Sequence, residues 1–227
     1  MNKEQFIEFV KKHCIDEGIE FRIFHGTTAL TVMTSSPCSG FFEANDQIKP
    51  TLAVARDLED STFLEVLAHE FSHSRQFLEN DPTWTASRLT KEDIKKYRRR
   101  INKDLSSLET GDLLDFWWSK EIELTDEEAL DLTKRTTAVE FDCEKRTVKL
   151  IKELGLDLKD KEYSQKANAY LGTYFFARKH RRFTTPGHSA YTKKEVWSLY
   201  PETIDESFCE NFPKEVEEAI LKHCIKD

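Results

Sequence analysis

The chain has 227 residues, 38% hydrophobic and 33% charged, with 16 Phe and 4 Trp. That is long enough for one domain with a sizeable core and too aromatic for a disordered segment. A formal net charge of −8 argues against nucleic acid or an anionic membrane as a general partner. Five scattered cysteines, none in CxxC spacing, argue against a zinc ribbon or a redox pair. No stretch approaches 18 consecutive apolar residues, so no membrane span is expected. Residues 1–10 lack a secretory apolar region, which points to reduced thiols in a cytoplasm. Nothing in the pattern speaks to oligomeric state.

Residues 2–13 read as a helix bearing Phe6, Phe9 and Val10. Residues 19–24 and 28–34 are β-rich, and His25-Gly26 between them suggests a hairpin. Residues 35–40 read as a loop. Phe41-Phe42 and residues 51–56 read as further strands, joined by a turn at Asn45-Asp46.

The next helix carries His69-Glu70-Phe71-Ser72-His73. Thr62 and Glu65 fit a capping box at its start. Leu64, Leu67, Phe71, Ser74 and Leu78 follow three-four spacing and form the expected core face, with His69 and His73 on the opposite side. Residues four apart stack on one face of a helix, so both imidazoles can address one Zn²⁺. Glu70 is turned about 100° from His69 on a helix of 3.6 residues per turn, near enough to act as a general base on a water there.

Residues 81–124 read as a helical insertion, with a charged helix over 90–105 and an apolar patch at 112–118. Trp117-Trp118 in that patch suits core packing, with a pocket wall as the alternative. A long helix follows, from a capping box at Thr125–Glu128 to a stop at Gly155. Leu132, Val139, Cys143, Leu150 and Leu154 make its inward stripe. Catalytic zinc keeps three protein ligands and one open position. Glu140, bordering that stripe, is the best third ligand, and Asp142 or Glu144 is the alternative. Glu144, one turn on, suits a partner that fixes the tautomer of a ligand His. Ordinary surface charges would look similar.

Residues 160–182 form another helix, 183–189 a turn with Pro186-Gly187-His188, and 214–222 a last helix. The basic cluster at 95–100 reads as a solvated face. The cluster at 178–182 has a second reading, as a seat for an anion or a substrate carboxylate. Tyr170, His180, His188 and Tyr191 are the candidates for an oxyanion donor, with Tyr170 and His188 preferred.

HExxH followed by a second helix with Glu-x-x-x-acid resembles the gluzincin arrangement of zinc metallopeptidases. The resemblance implies His69, His73 and Glu140 as ligands, Glu70 as base and Glu144 as the acid that orients a ligand His. Glu replaces the more usual Asp at 144, and the long stretch from 73 to 140 implies an insertion. The segments His69–Phe77, Glu140–Arg146 and Lys166–Tyr170 are also similar to small, poorly characterised metallopeptidase-like proteins of phages. A zincin-like fold would put the strand at 51–56 on the sheet edge, where it could pair with an extended peptide.

The expectation is therefore one α+β, zincin-like domain over 1–227, mostly helical with a small N-terminal sheet. Its expected activity is peptide-bond hydrolysis with one Zn²⁺ per chain, on a peptide or protein substrate, in the cytoplasm (a host's, for a phage-encoded chain). The alternatives are a zinc-containing binding or regulatory module without turnover, and a zinc hydrolase of another class.

Overall fold

The structure, a computed structural model, describes residues 1–32, 37–45, 48–101, 105 and 108–226. The chain is α+β: ten helices among the described residues, and a small sheet near the N-terminus. It forms two compact units, Met1–Asp81 with Cys143–Asp160 and Pro82–Asp142 with Lys161–Asp227.

In the first unit α1 (Lys3–Asp16) starts at a capping box. Gln5 N–H donates to Asn2 Oδ1 and Asn2 N–H to Gln5 Oε1, closing two of the donors every helix start leaves open. The helix buries Phe6, Val10 and Cys14. Five strands follow: β1 (Glu20–Phe24), β2 (Ala29–Leu30), β3 (Pro37–Cys38), β4 (Gly40–Asn45) and β5 (Ile48–Ala55). β1, β5 and β4 form one sheet in that order, β5 parallel to β1 and antiparallel to β4; β2 and β3 form a separate antiparallel pair.

Two expectations are corrected here. His25-Gly26 does not close a hairpin. Gly26, at φ 97, instead exchanges hydrogen bonds with Asp57: Gly26 N–H donates to Asp57 Oδ2 and Asp57 N–H to Gly26 O, each at 2.9 Å. That exchange ties the end of β1 beside the end of β5. The strand at 51–56 is not the sheet edge either. Thr51, Leu52, Ala53, Val54 and Ala55 are all buried, the unbroken run of a central strand, and β4 takes the edge. The expected strand at 28–34 shrinks to β2 over its described part; residues 33–36 and Asp46 of the expected turn lie outside the described residues, and the rest of the expected loop at 35–40 carries β3 and the start of β4 instead.

Helix α2 (Asp60–Leu78) packs on β4, β5 and α1. Phe71 is its hub, meeting Phe6 and Phe9 at ring-centroid distances of 6.4 and 5.7 Å. Its N-cap is Glu59, without a side-chain cap bond, so the expected start at Thr62 falls inside the first turn. The helix is also buried further round than a one-faced pattern predicts. His73 and Glu70 are buried along with Phe71 and Ser74.

The second unit adds α3 (Pro82–Ala86), α4 (Lys91–Tyr97) and α5 (Thr110–Trp118). The helix expected over 90–105 is therefore short; residues 102–104 lie outside the described residues. α6 (Asp126–Leu154) begins where Thr125 and Glu128 exchange cap bonds and ends at Gly155, φ 54; its last turns, from Cys143, belong to the first unit. α7 (Asp160–His180), α8 (Lys194–Trp197), α9 (Glu206–Glu210) and α10 (Lys214–Cys224) complete the order. One apolar cluster of this unit gathers Leu113, Leu114, Trp117 and Leu132, so Trp117 is core while Trp118 lies partly buried at its margin. Another gathers Phe141, Phe176, Tyr200 and Ile220. No described helix is long and apolar enough to cross a membrane.

Candidate metal centre

Two helices of the first unit build the site. Helical spacing sets His69 and His73 on one side of α2, and their Nε2 atoms stand 3.1 Å apart with the rings nearly perpendicular. The rear nitrogen of each ring is held. His73 Nδ1 meets Gln76 Oε1 at 2.8 Å. His69 Nδ1 meets Glu144 Oε1, on α6, at 3.1 Å. A carbonyl or carboxylate oxygen only accepts, so both Nδ1 atoms donate and both Nε2 atoms present lone pairs. Two lone pairs facing at 3.1 Å repel unless a proton or a cation lies between them. Gln76 was not anticipated, although its place three residues after His73 puts it on the adjoining turn of the same helix face.

Burial opposes a charge on His69. The neighbouring Cys143 sulfur and Glu144 carboxylate outweigh it and hold the imidazole well above the ordinary value of 6.5. The extra proton would sit on Nε2, shared with His73. A cation in the same place satisfies both nitrogens without it.

Cys143, expected as a plain member of an apolar stripe, comes to the site as well. Its Sγ stands 3.3 Å from the His69 carbonyl and 3.6 Å from His69 Nδ1. His69, His73 and Cys143 each offer a ligand atom within 4.8 Å of the others, and this group can hold a metal ion. The helix register behind it is set by Thr147. Its hydroxyl lies 2.8 Å from Ser72 Oγ and bonds back to Cys143 O at 2.9 Å, with Ser72 Oγ donating on to Ala68 O. On the flank, the Arg146 guanidinium reaches Glu79 and Asp81.

Glu70 is buried beside the edge strand. A Cβ on Gly40 of β4 would lie 3.4 Å from Glu70 Cγ, 2.5 Å from Val66 Cγ1 and 2.9 Å from Ala53 O. Only glycine lets β4 approach α2 this closely. Burial pushes the Cys38 thiol up to about 11, with the nearby Glu70 and Glu43 adding to it.

The structure thus brings His69, His73 and Glu144 together. Glu140 stands one turn before Glu144 on α6, half-buried, and Asp142 between them is half-buried too. Tyr170, on α7, shares a 2.8 Å hydroxyl contact with Tyr174 and sets its ring against Tyr191. His188 lies in the turn closed by its own N–H to Thr185 O. His180 pairs with Glu217 at 2.7 Å and stacks on Phe176. Those four belong to the second unit.

Searches of family models, curated proteins and solved structures find no match to this chain.

Proposed function

We propose that the chain is a zinc-dependent metallopeptidase. The observation that carries the reading is the convergence of His69 and His73 Nε2 at 3.1 Å, each ring held from behind by an acceptor. Two zinc–nitrogen bonds of about 2.0–2.1 Å at a tetrahedral angle set their nitrogens about 3.3 Å apart, close to what the rings offer. A carboxylate on the far nitrogen of a ligand His is the usual means of fixing its tautomer and raising its basicity. Cys143 and Glu140 are the two side chains of α6 put forward for a third ligand. The first is supported by its proximity to His69, the second by the gluzincin pattern.

When bound, zinc supplies a Lewis acid that lowers the pKa of a water towards about 7 and polarises a carbonyl. The chain's own work is the rest. Glu144 and Gln76 keep both rings in the tautomer that offers Nε2. Glu70 takes a proton from the attacking water on a carboxylate oxygen and passes it to the leaving nitrogen. A zincin-like arrangement is supported by a sheet whose edge strand runs beside the HExxH helix.

Metal analysis of purified protein should find about one zinc per chain. Glu70→Gln should keep the zinc and lose hydrolysis of a denatured-protein substrate, while His69→Ala should lose both. Zinc retained at full stoichiometry in His69→Ala would remove the site.

Cys143 favours a second reading, a zinc-stabilised module without turnover, because thiolates are commonest in closed structural sites. The two readings part at Glu70→Gln. A module loses nothing measurable there, whereas a peptidase loses its activity.

A further inference from the structure

The basic cluster at 178–182 plays no part in the metal reading, yet its last residues, His180, Arg181 and Arg182, form one side of an open cavity of about 900 Å³ in the second unit. The other side comes from the end of α5. Trp118 and Phe183 make an aromatic wall, with ring centroids 5.0 Å apart and planes tilted by 32°. Lys120, Arg181 and Arg182 bring cations to the same cavity, and Asp115 is the one carboxylate of its described lining.

The cations are not equivalent. The Arg181 guanidinium is spent on the fold, donating to Ile122 O and to Glu123 Oε1. Arg182 donates to the neutral carbonyl of Lys226 at 2.8 Å. That contact orients its guanidinium without neutralising it. No carboxylate pairs with Lys120 or Arg182 among the described residues. The Trp118 Nε1–H is likewise buried without an acceptor among them.

The backbone at Lys120 is that of a helix stop, a position that suits glycine. Lys120 and Arg181 both sit in the left-handed region, φ 64 and 48, just past the ends of α5 and α7. Glycine is the residue that adopts this conformation without steric penalty. Arg181 has a structural return for it in its bonds to the end of α5. Lys120 closes α5 in this conformation, its own N–H donating to Trp117 O at 3.1 Å and the next N–H, of Glu121, to Phe116 O at 2.8 Å.

We propose that this cavity binds a small organic anion, its flat apolar body against Trp118 and Phe183 and its anionic group against Lys120 and Arg182. Cavities of this size take small molecules through mostly apolar walls and a few placed polar groups. A cation beside an aromatic wall selects for charge and a flat body together. The proposal is independent of the metal centre and stands or falls without it.

Calorimetric titration of the full chain with phenyl phosphate and with phenylacetate tests it. At least one should bind, and the stronger names the preferred anionic group. Phenol and inorganic phosphate should each bind at least about tenfold more weakly, as expected when a charge-assisted hydrogen bond or the apolar body is missing. Lys120→Gly is the informative variant, because it suits the backbone better. Its melting temperature should hold or rise while affinity falls at least about tenfold. Arg182→Gln should weaken binding similarly. No binding of either aromatic anion would overturn the proposal, as would equal binding of phenol. So would unchanged affinity in both variants. Equal binding of inorganic phosphate would overturn the role of the aromatic wall.

Discussion

The pair of histidines on α2 and the basic cavity beside α5 handle polar groups in opposite ways. At the metal centre each imidazole has a partner for its rear nitrogen, Glu144 for His69 and Gln76 for His73. Their Nε2 atoms then face each other at 3.1 Å. At the cavity the surplus is positive charge, held on Lys120 and Arg182 with no carboxylate among the described residues to take it. The first arrangement asks for a cation and the second for an anion. A ligand's charge can thus be read from which kind of polar atom the fold gathers at one point.

The largest way to break this comparison is Glu70→Gln. A base in general acid–base catalysis contributes about 10²–10⁴-fold, so hydrolysis should drop by that factor while zinc content, read by metal analysis, stays near one per chain. Next is Glu144→Gln, which keeps an acceptor oxygen but removes its charge. Loss of such a partner lowers metal affinity by about 10–100-fold, measurable by competition with a chromophoric chelator. An unchanged affinity would mean that Glu144 does not tune His69.

The same pair sets a pH dependence. In chelator-treated protein the His69 pKa stands above its unfolded value near 6.5, because Cys143 and Glu144 outweigh burial. Its contribution to stability is therefore complete below about pH 6.5 and is lost as pH rises through the raised pKa. Metal competes with that proton, so zinc affinity should climb over the same interval. Melting temperature against pH with and without chelator checks the sign. A stabilisation that grows with pH in the chelated protein would contradict it.

Smaller effects follow. Gly40→Ala places a methyl 2.9 Å from Ala53 O and 2.5 Å from Val66, and since backbone cannot yield cheaply, a loss of about 1–3 kcal/mol is expected in denaturant unfolding. Lys120→Gly should stabilise by about 0.5–1 kcal/mol, the left-handed strain relieved less the added freedom of the unfolded chain. Destabilisation there would show that the Lys120 side chain supports the fold itself.

Signals in the sequence specify structure most fully where that structure is local. The α6 boundaries follow from Thr125, Glu128 and Gly155, each acting within one turn. The convergence of His69 with His73 follows from helical spacing alone. The hairpin at His25-Gly26 failed because the turn signal is blind to partners. The strand that pairs with β1 lies beyond β4, and Asp57 decides where Gly26 goes. Cys143 looked like an apolar stripe residue because a free thiol behaves as a small hydrophobe. Only the docking of α6 on α2 puts its sulfur against His69. The burial of His73 and Glu70 is invisible to periodicity, which marks one buried face and says nothing of a second layer.

The Thr147 hydroxyl, fixed between Ser72 and Cys143, has a further consequence for evolution of the chain. Deleting one residue of α6 between 144 and 147 would turn the hydroxyl by about 100° and shift it about 1.5 Å along the axis, away from Ser72. Insertions or deletions in this stretch should therefore be purged. Length variation among future relatives should stop abruptly at the last turns of α6.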